Sequence, residues 1–98
     1  MVTEDSALAS LHATVTGIVQ GVYFRAFVEE HARALHLTGY VRNIAHSGAV
    51  EVEAEGRRAG LERLLELLHQ GPRAAKVDNV DVRWGTYTGR FASFVITR

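Results

Sequence analysis

The chain switches repeatedly between two hydrophobic periods, and the order of those switches limits the folds open to it. A period of two marks a half-buried strand, and a period near 3.6 marks an amphipathic helix. Leu11 to Ile18 alternates, with Leu11, Ala13 and Val15 on one side and His12, Thr14 and Thr16 on the other. From Tyr23 to about Leu35 the apolar residues Phe24, Phe27, Val28, Ala32 and Leu35 fall three or four apart, on one face of a helix. Glu29, Glu30, His31 and Arg33 are left toward solvent or the helix margin. Leu37-Thr38-Gly39 turns the chain into a strand from Tyr40 to Ile44, and Ala45-His46-Ser47-Gly48 makes a hairpin loop. Ala49 to Glu55 alternates again, Val50, Val52 and Ala54 against Glu51, Glu53 and Glu55, until Gly56 breaks the run. The three glutamates read as the wet face of an edge or half-exposed strand. A second helix, Arg58 to His69, carries Leu61, Leu64, Leu65 and Leu68 at helical spacing and is stopped by Gly71-Pro72. Val77 to Trp84 alternates through Val80 and Val82, Gly85 and Gly89 punctuate an extension, and Phe91 to Thr97 is a last strand.

Strand, helix, strand, strand, helix, strand, with the final strand split or doubled, is the order of an α+β sandwich of the ferredoxin-like, split βαβ type. Two helices then pack on one face of a four- or five-stranded, mainly antiparallel sheet. The 98 residues suffice for one domain, 1–98, with one core. Residues 1–9 are polar and acidic, without a sustained pattern, and read as a flexible leader. They lack the basic and apolar regions of a signal peptide, and no apolar run approaches the roughly 20 residues of a membrane span. The expectation is a cytoplasmic protein with no membrane partner, and a monomer. With no cysteine, a thiolate nucleophile, a disulfide framework and a cysteine metal site are excluded. The histidines at 12, 31, 36, 46 and 69 form no i, i+4 pair, so no metal site is expected. A formal net charge of zero lacks the positive field of a general nucleic-acid binder. An RNA-binding sheet would also want exposed aromatics where this chain has Val50-Glu51-Val52-Glu53-Ala54-Glu55.

The stretch richest in chemistry is Gly17-Ile18-Val19-Gln20-Gly21-Val22-Tyr23-Phe24-Arg25. Here a strand passes through a glycine-bearing loop into a helix N-terminus. Backbone N–H groups converge at such a junction, and the helix dipole adds partial positive charge. Arg25 brings a planar, permanently charged fork to the same place. Singly, Gly17 and Gly21 read as turn glycines, Arg25 as a solvated helix residue and Asn43 as a strand end. Together the loop and Arg25 make an anion site suited to a phosphoryl group. The strand ending at Asn43 is parallel to the strand entering the loop in a split βαβ unit, so Asn43 reaches the same end of the sheet.

The run V-Q-G-V-Y-F-R at 19–25, followed by Thr38-Gly39-Tyr40-Val41-Arg42-Asn43, resembles the acylphosphatase family. Gly48-Ala49-Val50-Glu51-Val52, Gly71-Pro72 and Phe94-Val95-Ile96 extend the likeness over nearly the whole chain from about Leu11. The resemblance implies hydrolysis of the carboxyl–phosphate bond of a small-molecule acyl phosphate, without a metal or organic cofactor. It also implies that Arg25 binds the phosphate and that Asn43 orients the attacking water. The backbone cradle is then the loop of Gln20, Gly21, Val22, Tyr23 and Phe24. The chain departs from the family's common N-x-x-D-G hairpin by one extra residue and by Ser47-Gly48 in place of Asp-Gly.

These residue types suit that chemistry. The leaving group is a carboxylate that needs little protonation, so the work is positioning and charge stabilisation. Asn43 offers a carbonyl acceptor to a water but is no strong base. His31 and His36 lie late in the first helix and just beyond it, so the substrate phosphate takes the water's proton, or deprotonation is late. The alternative reading is a non-catalytic, anion-binding regulatory module on the same fold.

Overall fold

The computed structural model describes residues 7–98, with β1 (Leu8–Ile18), α1 (Phe24–Ala34), β2 (Thr38–Asn43), β3 (Val50–Arg57), α2 (Arg58–Gln70), β4 (Lys76–Gly85) and β5 (Phe94–Ile96). The five strands form one sheet in the order β4-β1-β3-β2-β5. All pairings are antiparallel except β2 with β5, which runs parallel at one edge. This is the expected ferredoxin-like α+β sheet, and the doubled last strand is β4 on one edge and β5 on the other.

The alternation sets the register. Ala13 pairs with Val52 and Val82, and Val15 with Val50 and Val80, so apolar residues of neighbouring strands share one face. That face meets Phe24, Val28 and Ala32 of α1 and Leu61, Leu64 and Leu68 of α2, all essentially solvent-free. Leu67 is the fourth buried leucine of α2, while Leu65 is only partly buried against the core. Phe24 is at the first position of α1 and 1% exposed. Burying a side chain of that size contributes about 1.5–3 kcal/mol, so the helix start, and with it the preceding loop, is pinned to the core.

Three expectations are corrected. Residues 1–6 of the expected leader lie outside the described residues, but Leu8 and Ala9 belong to β1, pairing with Arg57 and Gly56. Gly56 therefore does not end β3. It sits in the ladder at φ 153°, a conformation that residues with a side chain rarely adopt, and the strand runs on to Arg57. Third, β3 is the central strand, and its glutamates are not a wet edge. Glu51 accepts from His12 Nε2 at 2.8 Å, from the Arg42 guanidinium and from the Tyr40 hydroxyl at 3.3 Å. Glu53 faces Arg90 at 3.7 Å. Glu55 is 1% exposed and accepts from Thr88 N–H, the Thr88 hydroxyl and Gly89 N–H at 2.8–3.1 Å. Those donors lie on the segment 86–93, which carries the chain from β4 across to β5. A link between opposite edges of a sheet must cross it, and the acidic side chains of β3 anchor the crossing.

Candidate active site

β1 and β2 both run antiparallel to β3, so they are parallel to each other and finish at the same end of the sheet. At that end β1 gives way to the loop 19–23 and α1, and β2 stops at Asn43. The loop bends through Gly21 at φ 73° and Tyr23 at φ 66°. A Cβ at Gly21 would meet nothing within 4 Å, so backbone shape, not crowding, calls for glycine there. Tyr23 holds the left-handed conformation with a full side chain, against a preference on the order of 1–2 kcal/mol. Its ring stands 73% exposed at the mouth of the site.

Tyr23 is the N-cap of α1, no side chain caps the helix, and its first turn has no acidic residue. The first helical bond is Phe27 N–H to the Tyr23 carbonyl at 3.1 Å. The N–H groups of residues 21–26 have no acceptor among the described residues. Donors left open at a helix start, with the dipole behind them, favour an anion.

Gly21, Tyr23, Phe24, Arg25 and Asn43 line one cleft of about 220 Å³, together with Val19, Ala26 and Ile96. Arg25 is partly buried and, like Arg57, Arg73 and Arg83, enters no ion pair among the described residues, whereas Arg33, Arg42, Arg58, Arg63 and Arg90 each face a glutamate. Asn43 shares strand parity with Val41, the core-facing neighbour, while Arg42 between them turns to the opposite face and Glu51. The Asn43 Oδ1 is buried and has no hydrogen-bond partner among the described residues. Buried acceptors are seldom left so, and the exceptions call for an explanation. The cleft thus holds open donors, one unpaired guanidinium and one unpaired acceptor.

The family-level sequence pattern of the acylphosphatases matches residues 11–96. The chain belongs to the acylphosphatase family. An acylphosphatase of Salinibacter ruber is 48% identical over 86 residues, 88% of this chain and 90% of that protein. The structure of an acylphosphatase from Coxiella burnetii superposes with a TM-score of 0.87 at 37% identity, covering 99% of this chain and all of that one. That of the Bacillus subtilis acylphosphatase gives 0.87 at 33% identity, covering 94% of this chain and all of the other.

Within this acylphosphatase fold, the cleft collects five of the seven residues expected from the sequence. Gln20 and Val22 do not line it: Val22 packs against the core and the Gln20 amide turns toward the hairpin after Asn43. Val19, Ala26 and Ile96 were not expected there. Ile96 arrives because β5 pairs with β2, Val41 against Ile96, a parallel edge pairing that periodicity cannot reveal. The side chain of Ser47 holds the hairpin after Asn43 together at its exposed tip. Ser47 Oγ donates to the Ile44 carbonyl at 3.0 Å and accepts from Ala49 N–H at 3.1 Å. His46 and Gly48 turn through φ 64° and 75°, and Ile44 N–H to the Ala49 carbonyl at 2.8 Å closes the hairpin beside Asn43.

No histidine lines the cleft. His12 is bound to Glu51, and His31 packs edge-on against Phe27 with ring centroids 4.5 Å apart. Among the described residues no group of three or more histidine, aspartate or glutamate side chains is placed to hold a metal ion. No helix among the described residues is long and apolar enough to cross a membrane. A larger cleft, about 370 Å³, opens at the other end of the sheet between Leu8, Leu35, His36, Thr38, Glu55, Gly56, Arg57 and Tyr87.

Proposed function

We propose that this protein hydrolyses acyl phosphates to a carboxylate and inorganic phosphate at the cleft between the 19–23 loop and Asn43. One observation carries the reading: Asn43, whose buried Oδ1 has no partner among the described residues, lines the same cleft as Arg25 and the loop of orphan N–H groups. An anion-binding module needs the donors alone. A hydrolase also needs an acceptor that orients a water toward the bound group.

The phosphoryl oxygens accept from the N–H groups of the loop and first helical turn, and the Arg25 guanidinium takes two of them at once. Those oxygens stay negative throughout, so donors fixed in advance stabilise the transition state without reorganising. Asn43 Oδ1 accepts one water hydrogen and points the oxygen lone pair at phosphorus. The new P–O bond forms on that side as the bond to the carboxylate oxygen breaks on the other. The electron pair leaves with the carboxylate, and the water's proton passes to a phosphoryl oxygen. This chemistry draws on no metal and no organic cofactor.

The test is incubation of purified, chelator-treated protein with acetyl or benzoyl phosphate while the acyl phosphate is followed. Turnover that survives the chelator, inhibited competitively by inorganic phosphate, is expected. Phosphate binding without turnover would instead identify an anion-binding module.

A further inference from the structure

The side chain of Gln20 joins the two halves of the site. Its Nε2 donates to the Ala49 carbonyl at 2.8 Å and reaches the Ile44 carbonyl at 3.4 Å. Ile44 follows Asn43 directly, and its own N–H donates to the same Ala49 oxygen at 2.8 Å. The Ala49 carbonyl thus receives one donor from the hairpin that continues from Asn43 and one from the loop that carries the open N–H groups. Gln20 is partly buried and is not among the residues lining the cleft.

We infer that Gln20 is a positioning residue, a strut that fixes the loop against the Asn43 hairpin and so sets the distance between the bound phosphorus and the attacking water. The inference rests on the acyl-phosphate reading above. Asn43 is the last residue of β2, and beyond it the hairpin tip, residues 45–48, is exposed. The loop is anchored from its other side, through buried Val19 and Phe24. Gln20 is the side chain that ties these two separately supported pieces together. In-line attack needs the reacting atoms within about 3–3.5 Å, and a misplacement of about 1 Å costs on the order of 10²-fold. A strut of this kind acts on the catalytic step and leaves phosphate affinity alone, because the N–H groups and Arg25 that hold phosphate stay on one side of it.

The test uses two variants. Gln20→Met keeps the side-chain length and removes the donor. Gln20→Glu keeps the shape and sets a carboxylate against two carbonyls. Both are expected to lower kcat about 10- to 100-fold, with the inhibition constant of inorganic phosphate within about twofold of wild type. In an Asn43→Ala background the added loss from Gln20→Met should shrink below about threefold, because both act through the same water. Hydrogen exchange of the Ile44 amide should quicken in Gln20→Met. A weakened phosphate constant with kcat unchanged would make Gln20 a phosphate ligand and overturn the inference. So would losses that multiply fully with Asn43→Ala, or wild-type kinetics in both variants. If the wild-type protein turns over no acyl phosphate, the functional reading fails, and unchanged Ile44 exchange in Gln20→Met still overturns the strut by itself.

Discussion

The two ends of the sheet each carry a cleft, and they differ in a way that size does not capture. The larger, about 370 Å³, contains Glu55, a fully buried carboxylate. Both of its oxygens are taken by donors from Thr88 and Gly89. The smaller, about 220 Å³, contains Asn43, whose buried oxygen has no partner, beside an arginine without an ion pair. The Glu55 carboxylate is satisfied without a ligand and holds the 86–93 crossing. On the proposed reading, the second cleft is completed by an anion and a water. Buried polar groups that are satisfied stabilise the fold, whereas those left open carry the binding and the chemistry.

The sharpest way to break this contrast is substitution at the open end. Arg25→Ala should lower kcat/KM for an acyl phosphate by at least about 10²-fold, while its urea midpoint changes little, since no partner is orphaned. A large loss of stability with activity kept would reverse the roles assigned to the two ends. At the closed end Glu55→Gln should do the opposite. It turns an amide NH₂ toward donors that need an acceptor, and each unsatisfied buried group costs about 1–3 kcal/mol. Equilibrium unfolding should register that loss, and kcat of the folded fraction should be unchanged.

Acid should act on the same network. Burial pushes the Glu55 carboxyl up, but the Thr88 hydroxyl and the Gly89 and Thr88 N–H groups outweigh it and hold it below the ordinary glutamate value of 4.5. Glu51 is also lowered, because its bonds to His12 and Arg42 overcome its burial. Glu53 is raised, chiefly by burial. A lowered carboxyl contributes stability that is full above its unfolded pKa and is lost as the pH falls through its folded value. Glu53 has the reverse sign, its share being lost as the pH rises through its folded value. Glu55 and Glu51 should therefore each contribute a fall in urea midpoint as the pH drops below about 4.5, with Glu53 opposing them. Glu55→Gln should flatten that fall; an unchanged slope would remove Glu55 from the network. The smallest effect belongs to the exposed Arg63–Glu66 pair on α2, 3.3 Å apart. Its removal should shift stability by less than about 0.5 kcal/mol and activity not at all.

The period switches carried most of the fold, because side-chain direction in strands and helices is local: Leu11, Ala13 and Val15 point inward as their alternation requires. Long-range choices were less legible. The pairing of β5 with β2 depends on where the 86–93 segment crosses, and the anchors for that crossing are side chains of β3, some thirty residues earlier. Glutamates on a strand look alike in sequence whether solvated or paired. That the loop, Arg25 and Asn43 meet at one cleft was legible because a strand–loop–helix junction and the parallel relation of two strands follow from element order. Gln20 was read as part of the cradle, and only the folded hairpin reveals that its amide faces Ala49. Ile96 could not be read at all, since its place depends on the edge pairing.

Asn43→Ala tests the contrast most directly, because it removes the unpartnered buried acceptor and nothing bonded to it. Measured on one preparation, kcat for benzoyl phosphate should fall at least about 10²-fold, while the urea midpoint stays level or rises, as expected when an unsatisfied buried polar group is deleted. A variant that keeps wild-type kcat, or one that loses more than about 1 kcal/mol of stability, would contradict the assignment of Asn43 to the water and of the open end to catalysis.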